Sequence, residues 1–356
     1  MTPRVLLDAR LLRNTPLNAP VMNDFEHQFE QSFQNRSVLI TGGLGFIGSN
    51  LARRLVDLGA KVTIVDSLIP EYGGNRFNVA GVEDQLDINI ADVRDPHSLQ
   101  VLVQGQDYLF NLAGQTSHLD SMKDPYVDLE INCRAQLSIL EACRHHNPDI
   151  SLVFASTRQI YGRPKQLPVD ENHLLQPVDV NGINKMAGEW YHILYHNTYG
   201  IRATALRLTN TYGPRMRIKD DRQTFLGVWI RLLLADEPFE VWGGEQLRDF
   251  TYIDDAVHAL MLSVINPHAA GRVFNLGGDK PVSLLDLAAA LIAANDDQGK
   301  YVMRQFPGER KRIDIGHYYA DDRLIRETLG WKPAVPLEQG LQLTLDYYRR
   351  HLKQYL

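Results

Sequence analysis

Residues 40–50 read "ITGGLGFIGSN", and this stretch decides the fold. It opens inside "SVLIT" (37–41), a β-branched, apolar run of the kind that forms a buried strand. After it, Ile47, Leu51, Leu55 and Leu58 recur at helical spacing until Gly59 supplies a stop. Gly42, Gly45 and Gly48 stand at the joint, where small residues let the backbone turn, approach a pyrophosphate and pack helix on strand. The helix start then offers unpaired N–H groups and a positive dipole end. The next strand, "KVTIVD" (61–66), ends on Asp66, where a dinucleotide fingerprint needs a carboxylate for the ribose hydroxyls. That carboxylate repels a 2′-phosphate and "VDSL" brings no arginine, so the expected cofactor is NAD rather than NADP.

Outward from this unit, short β-branched runs alternate with longer helical ones: "DYLFNLAG", "SLVFAST" and "IRATALRLTNTYGP" read as further strands. Such alternation predicts an α/β fold of Rossmann type, a doubly wound parallel sheet covered by helices on both faces. Past residue 211 Pro, Gly and aromatic residues become irregular, which predicts a smaller C-terminal substrate-binding lobe. The expected division is an extension at 1–36, a dinucleotide-binding unit at 37–210 with a return segment near 249–265, and the lobe at 211–356. In the extension, Phe25, Phe29 and Phe33 share a helical face, and Asn23 and Glu26 have capping-box spacing. A helix over the core or a subunit contact would both read this way.

Composition excludes several classes. A net charge of −6 argues against broad nucleic-acid binding, though a few local arginines suffice for a phosphate group. Two cysteines, Cys133 and Cys143, make no disulfide framework, and the twelve histidines show no metal-ligand spacing, so no metal is expected. No apolar run approaches the ~20 residues of a membrane span. "RVLLDARLLR" is broken by charge where a signal peptide needs an apolar core. A soluble, cytoplasmic protein is expected.

The chain resembles the extended short-chain dehydrogenase/reductase family, specifically its NAD-dependent nucleotide-sugar epimerases and dehydratases. The resemblance runs from about residue 37 to the C-terminus. It rests on "TGGLGFIG", "NLAGQ", "STRQIYG", "NK" followed by "GE", "LRLTNTYGP", "LRDFTYIDD", "FNLGG" and "LGWKP", in the family's order. By that resemblance Gly42, Gly45, Phe46, Ile47, Gly48 and Asp66 hold the adenosine half of NAD, with Asp92 and Val93 beside the adenine. Pattern alone also allows Asp92 to be a helix cap before Pro96. Leu112, Ala113, Gly114 and Gln115 line the cofactor, and Asn132 falls at a structural asparagine. Thr157 matches the residue that bonds the reacting sugar hydroxyl, and Lys185 the one that binds the nicotinamide ribose. Asn210 and Arg248 match diphosphate contacts, with Arg312 or Lys311 adding another. Asn210 also reads as a turn residue, and Arg248 as a partner for Asp249 or Asp255. Homodimerisation through helices near 97–104 and 126–145 is implied as well.

Two departures bear on the chemistry. The family carries a tyrosine base four places before its lysine; in "PVDVNGINKMAGE" (177–189) that place holds Asn181, whose amide accepts no proton at neutral pH. No tyrosine lies between Tyr161 and Tyr191, so the alignment cannot slip to supply one. Asp179, His118 and Tyr161 are candidate substitutes, and a relay from Thr157 through water is another. The second departure is Arg158-Gln159, where the family's 4,6-dehydratases carry Asp-Glu. Without that acid and base, dehydration is disfavoured and epimerisation through a transient keto sugar is expected, by default at C4 of a UDP-hexose. "LAGQ" and "STRQIYG" are also similar to the 2-epimerases of CDP-dideoxysugars. A dehydratase or decarboxylase with an atypical base, and a silent NAD- and sugar-nucleotide-binding protein, are the alternatives.

Overall fold

The structure is a computed structural model that describes residues 20–356. Seven strands, β1 (Ser37–Thr41), β2 (Lys61–Asp66), β3 (Leu86–Ile90), β4 (Tyr108–Asn111), β5 (Ser151–Thr157), β6 (Arg202–Leu208) and β7 (Val273–Leu276), form one sheet. Its order is β7-β6-β5-β4-β1-β2-β3 and every pairing is parallel. This is the doubly wound α/β sheet the alternation predicts, with the strand order reversing between β1 and β4. The helices that matter for the site are α1 (Pro20–Phe33), α2 (Phe46–Asp57), α3 (Pro96–Leu102), α4 (His118–Lys123), α5 (Pro125–Leu129), α6 (Ala135–His146), α7 (Val180–Tyr199) and α8 (Ile253–Ile265).

Strand alternation sends side chains to opposite faces, and the core divides accordingly. Val38 and Ile40 of β1 join Leu51 and Leu55 of α2 and Ala256 and Leu260 of α8. Leu39, between them, joins Leu99 of α3, Ile139 and Leu140 of α6 and Tyr195 of α7. Phe29 and Phe33 of α1 are buried in the first of these layers, so the described part of the extension is a cover for the core. Its helix starts at Pro20, which puts Asn23 inside the helix rather than at its cap. Residues 1–19 lie outside the described residues.

The 126–145 stretch is not one continuous helix. A π turn at Glu130–Arg134 separates α5 from α6. It carries Asn132, whose Nδ2 reaches the Gln115 carbonyl at 2.9 Å. Among the described residues, no helix is long and apolar enough to cross a membrane.

Candidate active site

Open α/β sheets bind ligands beyond the carboxyl ends of their strands, near the point where strand order reverses. Two cavities lie there. The first is lined by Gly42, Gly45, Phe46, Ile47, Gly48, Asp66, Asp92, Val93, Leu112, Ala113 and Gly114. Eleven expected cofactor contacts thus converge. Gly42 has φ +71°, and a Cβ on Gly48 would stand 2.3 Å from the Gly42 carbonyl oxygen. No side chain caps α2 at Gly45, so its first N–H groups are open to a phosphate. Asp66 accepts from the Leu44 and Leu68 N–H groups, both at 2.9 Å. Burial raises its pKa, opposed by those two bonds. Glycine cradle, open helix start and strand-end carboxylate fit an adenosine diphosphate.

Three expected cofactor residues sit differently. Gln115 is buried, its amide turned onto the Ser117 carbonyl at 2.9 Å, and Thr116 lines the cleft in its stead. Asn132 and Lys185 stand behind the lining: a Cβ on Gly114 would lie 2.9 Å from each. Asp92 grips Arg94 through both carboxylate oxygens and caps nothing; the α3 cap is Asp95, bonded to the His97 and Ser98 N–H groups. Tyr72, Ala155 and Gln223 are among the other residues that line the cleft, and nothing in their sequence context marks them.

The second cavity, about 630 Å³, is lined by His118, Arg158, Gln159, Asn210, Arg222, Trp242, Arg248, Phe306 and Arg310 among others. Gln223 lines both cavities, so they adjoin. Arg248 is buried, and neither partner suggested by sequence holds it. Its Nη2 lies 3.2 Å from Asp314 Oδ1, while Asp249 bonds Thr209 and Ala320, and Asp255 bonds the Ala334 and Val335 N–H groups. Burial, with Arg158 nearby, lowers the Arg248 pKa to about 10. Asn210 accepts from Arg158 Nη2 at 2.8 Å and donates to the Asp249 carbonyl at 2.9 Å, more than a turn residue would do. Arg312 is exposed and does not line the cavity; Arg310, two places earlier, does, paired with Asp221 and 4.7 Å above the Trp242 ring.

Thr157 ends β5 with its Oγ1 accepting from the Gln159 N–H at 3.2 Å. Lys185 is buried, its Nζ donating to the Ala155 carbonyl at 3.1 Å beside the Phe154 ring. Burial lowers its pKa to about 8, against the pull of Asp128. Asn181 lines neither cavity. Its Nδ2 donates to the Gln115 carbonyl at 2.8 Å and to Asp128 Oδ2 at 3.0 Å. Asp128, fully buried, also takes the Asn132 and Asn184 amides, at 3.0 and 2.8 Å. That carboxylate organises the site from beneath, and an acidic residue inside a helix gave no sequence signal for it.

A further hollow runs past Arg36, Asp107, Asp149 and Arg202, at the amino ends of β1, β4, β5 and β6. It lies at the wrong end of the sheet for catalysis in such folds. Among the described residues no cluster of three or more His, Cys, Asp or Glu is placed to hold a metal.

The sequence profile of the NAD dependent epimerase/dehydratase family matches residues 38–277. A putative UDP-glucose 4-epimerase of Methanocaldococcus jannaschii is 30% identical over 318 residues, 88% of this chain and 99% of that protein. UDP-glucuronic acid decarboxylase 1 of Xenopus tropicalis is 30% identical over 95% of this chain and 80% of its own length. The crystal structure of a Thermotoga maritima UDP-glucose 4-epimerase with UDP-glucose superposes with a TM-score of 0.81 at 28% identity, covering 89% of this chain and 99% of that one. A sheet with its glycine cradle and acidic strand end, and relatives matched along nearly their whole length, place this chain in the NAD-dependent epimerase/dehydratase family, with NAD as its cofactor.

Proposed function

We propose that the protein is a nucleotide-sugar epimerase working through a transient keto sugar, with C4 of a UDP-hexose as the default substrate centre. The observation that carries this reading is the pair of arginines, Arg158 and Arg248, in a cavity that adjoins the cofactor cleft at Gln223. Guanidinium groups are suited to phosphate oxygens, and two of them match a diphosphate. Bound NAD supplies a reversible hydride acceptor for the sugar carbon. The glycine loop and Asp66 hold its adenosine half, Thr157 meets the reacting hydroxyl, and Lys185 steadies negative charge on the sugar oxygen. Asn210 and Arg248 position the diphosphate, and Arg310 takes the place first given to Arg312. Residues 37–210 with the return helix serve the cofactor, and 211–356 mainly the sugar nucleotide.

Arg158-Gln159 supports epimerisation over dehydration, since neither side chain is a normal proton acceptor at neutral pH. Purified protein incubated with UDP-, CDP-, GDP- and dTDP-sugars and followed by NMR should invert one stereocentre without net redox change. Loss of water or CO2 would instead assign a dehydratase or decarboxylase. Binding of several sugars with no change in any would leave a silent binding protein.

The protein is further proposed to be a cytoplasmic homodimer. Its two cysteines are unpaired. Tyr126, 77% exposed on α5, and Ile183, Trp190 and Leu194 on α7 form an apolar stripe on two packed helices. On α3 the one large exposed apolar side chain is Val101. The proposed contact uses α5 and α7, where most of these exposed apolar side chains lie. Light scattering should give twice the chain mass, and Trp190→Glu should give monomers.

A further inference from the structure

We propose that His118, oriented by Asp179, takes and returns the proton of the sugar hydroxyl, the task for which Asn181 has no acceptor. This rests on the epimerase reading and names the base that the reading lacks.

The other groups near the site are already committed. Tyr161 donates its hydroxyl proton to Asn275 Oδ1 at 2.6 Å, accepts from Arg207 at 2.6 Å, and is fully buried outside both cavities. Lys185 Nζ is engaged with the Ala155 carbonyl at 3.1 Å and lines neither cavity. Among the described residues, each carboxylate that lines the sugar cavity is paired with an arginine. Asp120 lies 3.0 Å from Arg222, Asp220 2.6 Å from Arg217, Glu240 3.0 Å from Arg304 and Asp314 3.2 Å from Arg248, and Asp221 meets Arg310. His118 is the one imidazole in that lining.

Its orientation suits a base. Nδ1 is sealed from solvent and lies 3.0 Å from Asp179 Oδ2, at an angle outside hydrogen-bond geometry. About a third of the side chain, 37%, remains open at the cavity. Asp179 is held in turn: Oδ1 accepts the Gly182 N–H at 2.7 Å as the cap of α7, and Oδ2 accepts Gln159 Nε2 at 2.8 Å. Gln159 also donates its N–H to Thr157. Thr157, Gln159, Asp179 and His118 therefore form one chain of contacts. A proton placed on Nδ1, beside Asp179, would leave Nε2 as the acceptor.

In the forward step the sugar O–H bond breaks and its proton passes to His118 Nε2. The C–H hydrogen, with its electron pair, would pass as hydride to bound NAD, and a ketone remains. After the ketone presents its other face, the hydride would return to carbon and the imidazolium returns its proton to oxygen. One hydride and one proton, two electrons and two protons in all, leave and come back, so no co-reactant is needed.

In NAD-loaded protein, 15N-histidine NMR with His118→Gln for assignment should find His118 as the Nδ1–H tautomer. Adding UDP-glucose should move its resonances, and Asp179→Asn, which keeps a capping oxygen, should shift the tautomer balance. For whichever sugar of the panel the wild type epimerises, His118→Ala should lower kcat by about 10²–10⁴, the usual worth of a positioned base, with KM within about threefold. Free imidazole should restore part of that loss. An Nε2–H tautomer overturns the proposal even if no panel sugar turns over. So does a His118→Ala enzyme with wild-type kcat, which would return the task to Lys185 or water. An inactive wild type would overturn the epimerase reading alone.

Discussion

Glu189→Ala should destabilise the protein by roughly 3–5 kcal/mol, the usual cost of leaving one member of a buried ion pair alone. Glu189 and Arg207 are 1% and 4% exposed, with Arg207 Nη2 2.6 Å from Glu189 Oε1. Burial works against the guanidinium charge, but the hydrogen bonds and charge of Glu189 overrule it and raise the Arg207 pKa above its ordinary value. Ser156 Oγ adds a bond to Glu189 at 2.6 Å, and Arg207 passes the network on to Tyr161 and so to Asn275. Strands β5, β6 and β7 and helix α7 therefore meet at one polar knot beneath the site. Removing Glu189 strands a buried cation, and Tm should fall by on the order of 5–10 °C. Glu189→Met with Arg207→Met should recover much of the loss, because no charge is then unpaired. A Glu189→Ala protein as stable as wild type in denaturant titration would refute this account.

The cofactor half was legible because its chemistry is local. Gly42, Gly45, Gly48 and Asp66 lie within one strand–helix–strand unit, so backbone geometry alone brings them together. The sugar half depends on how distant segments dock, and there the reading failed in specific ways. Arg310 and Arg312 belong to one short helix, Gly308–Ile313, where two positions turn about 200° around the axis. Which of them faces the cavity is decided by packing that no periodicity records. Asn181 announced itself as a missing base, but its bond to Asp128 spans 53 residues and could not be inferred. The π turn at Glu130–Arg134 likewise hides inside an unbroken apolar pattern, yet it carries Asn132. His118 was visible only as one candidate among three; the ion pairing of every carboxylate around it separates it from the rest.

Lys185→Met should abolish most turnover while leaving the protein no less stable at pH 7. The lysine is buried, and desolvation brings its pKa down to about 8, from about 10.4 in an unfolded chain. Holding it charged therefore costs folding roughly 3 kcal/mol. The sign follows from proton binding. Below pH 8 both states are protonated and the full penalty is present. Between about pH 8 and 10.4 the folded state sheds its proton first, so the penalty shrinks as pH rises. Methionine removes the charge and gives up the bond to the Ala155 carbonyl and the contact with Phe154. Asp128 is not orphaned by the change, because the Asn132, Asn181 and Asn184 amides still hold it. Melting curves at pH 7 should show the variant level with or above wild type, and curves at pH 9.5 should show that advantage reduced. Turnover should meanwhile fall by about 10²–10³, the usual loss when a preorganised charge is removed from a developing oxyanion. A variant that melts well below wild type at pH 7 would make the lysine a structural residue. One that keeps its turnover would remove it from the chemistry. Stability kept and turnover lost together would mark Lys185 as a cation held at a cost to the fold, one that steadies the sugar oxygen while another group takes the proton.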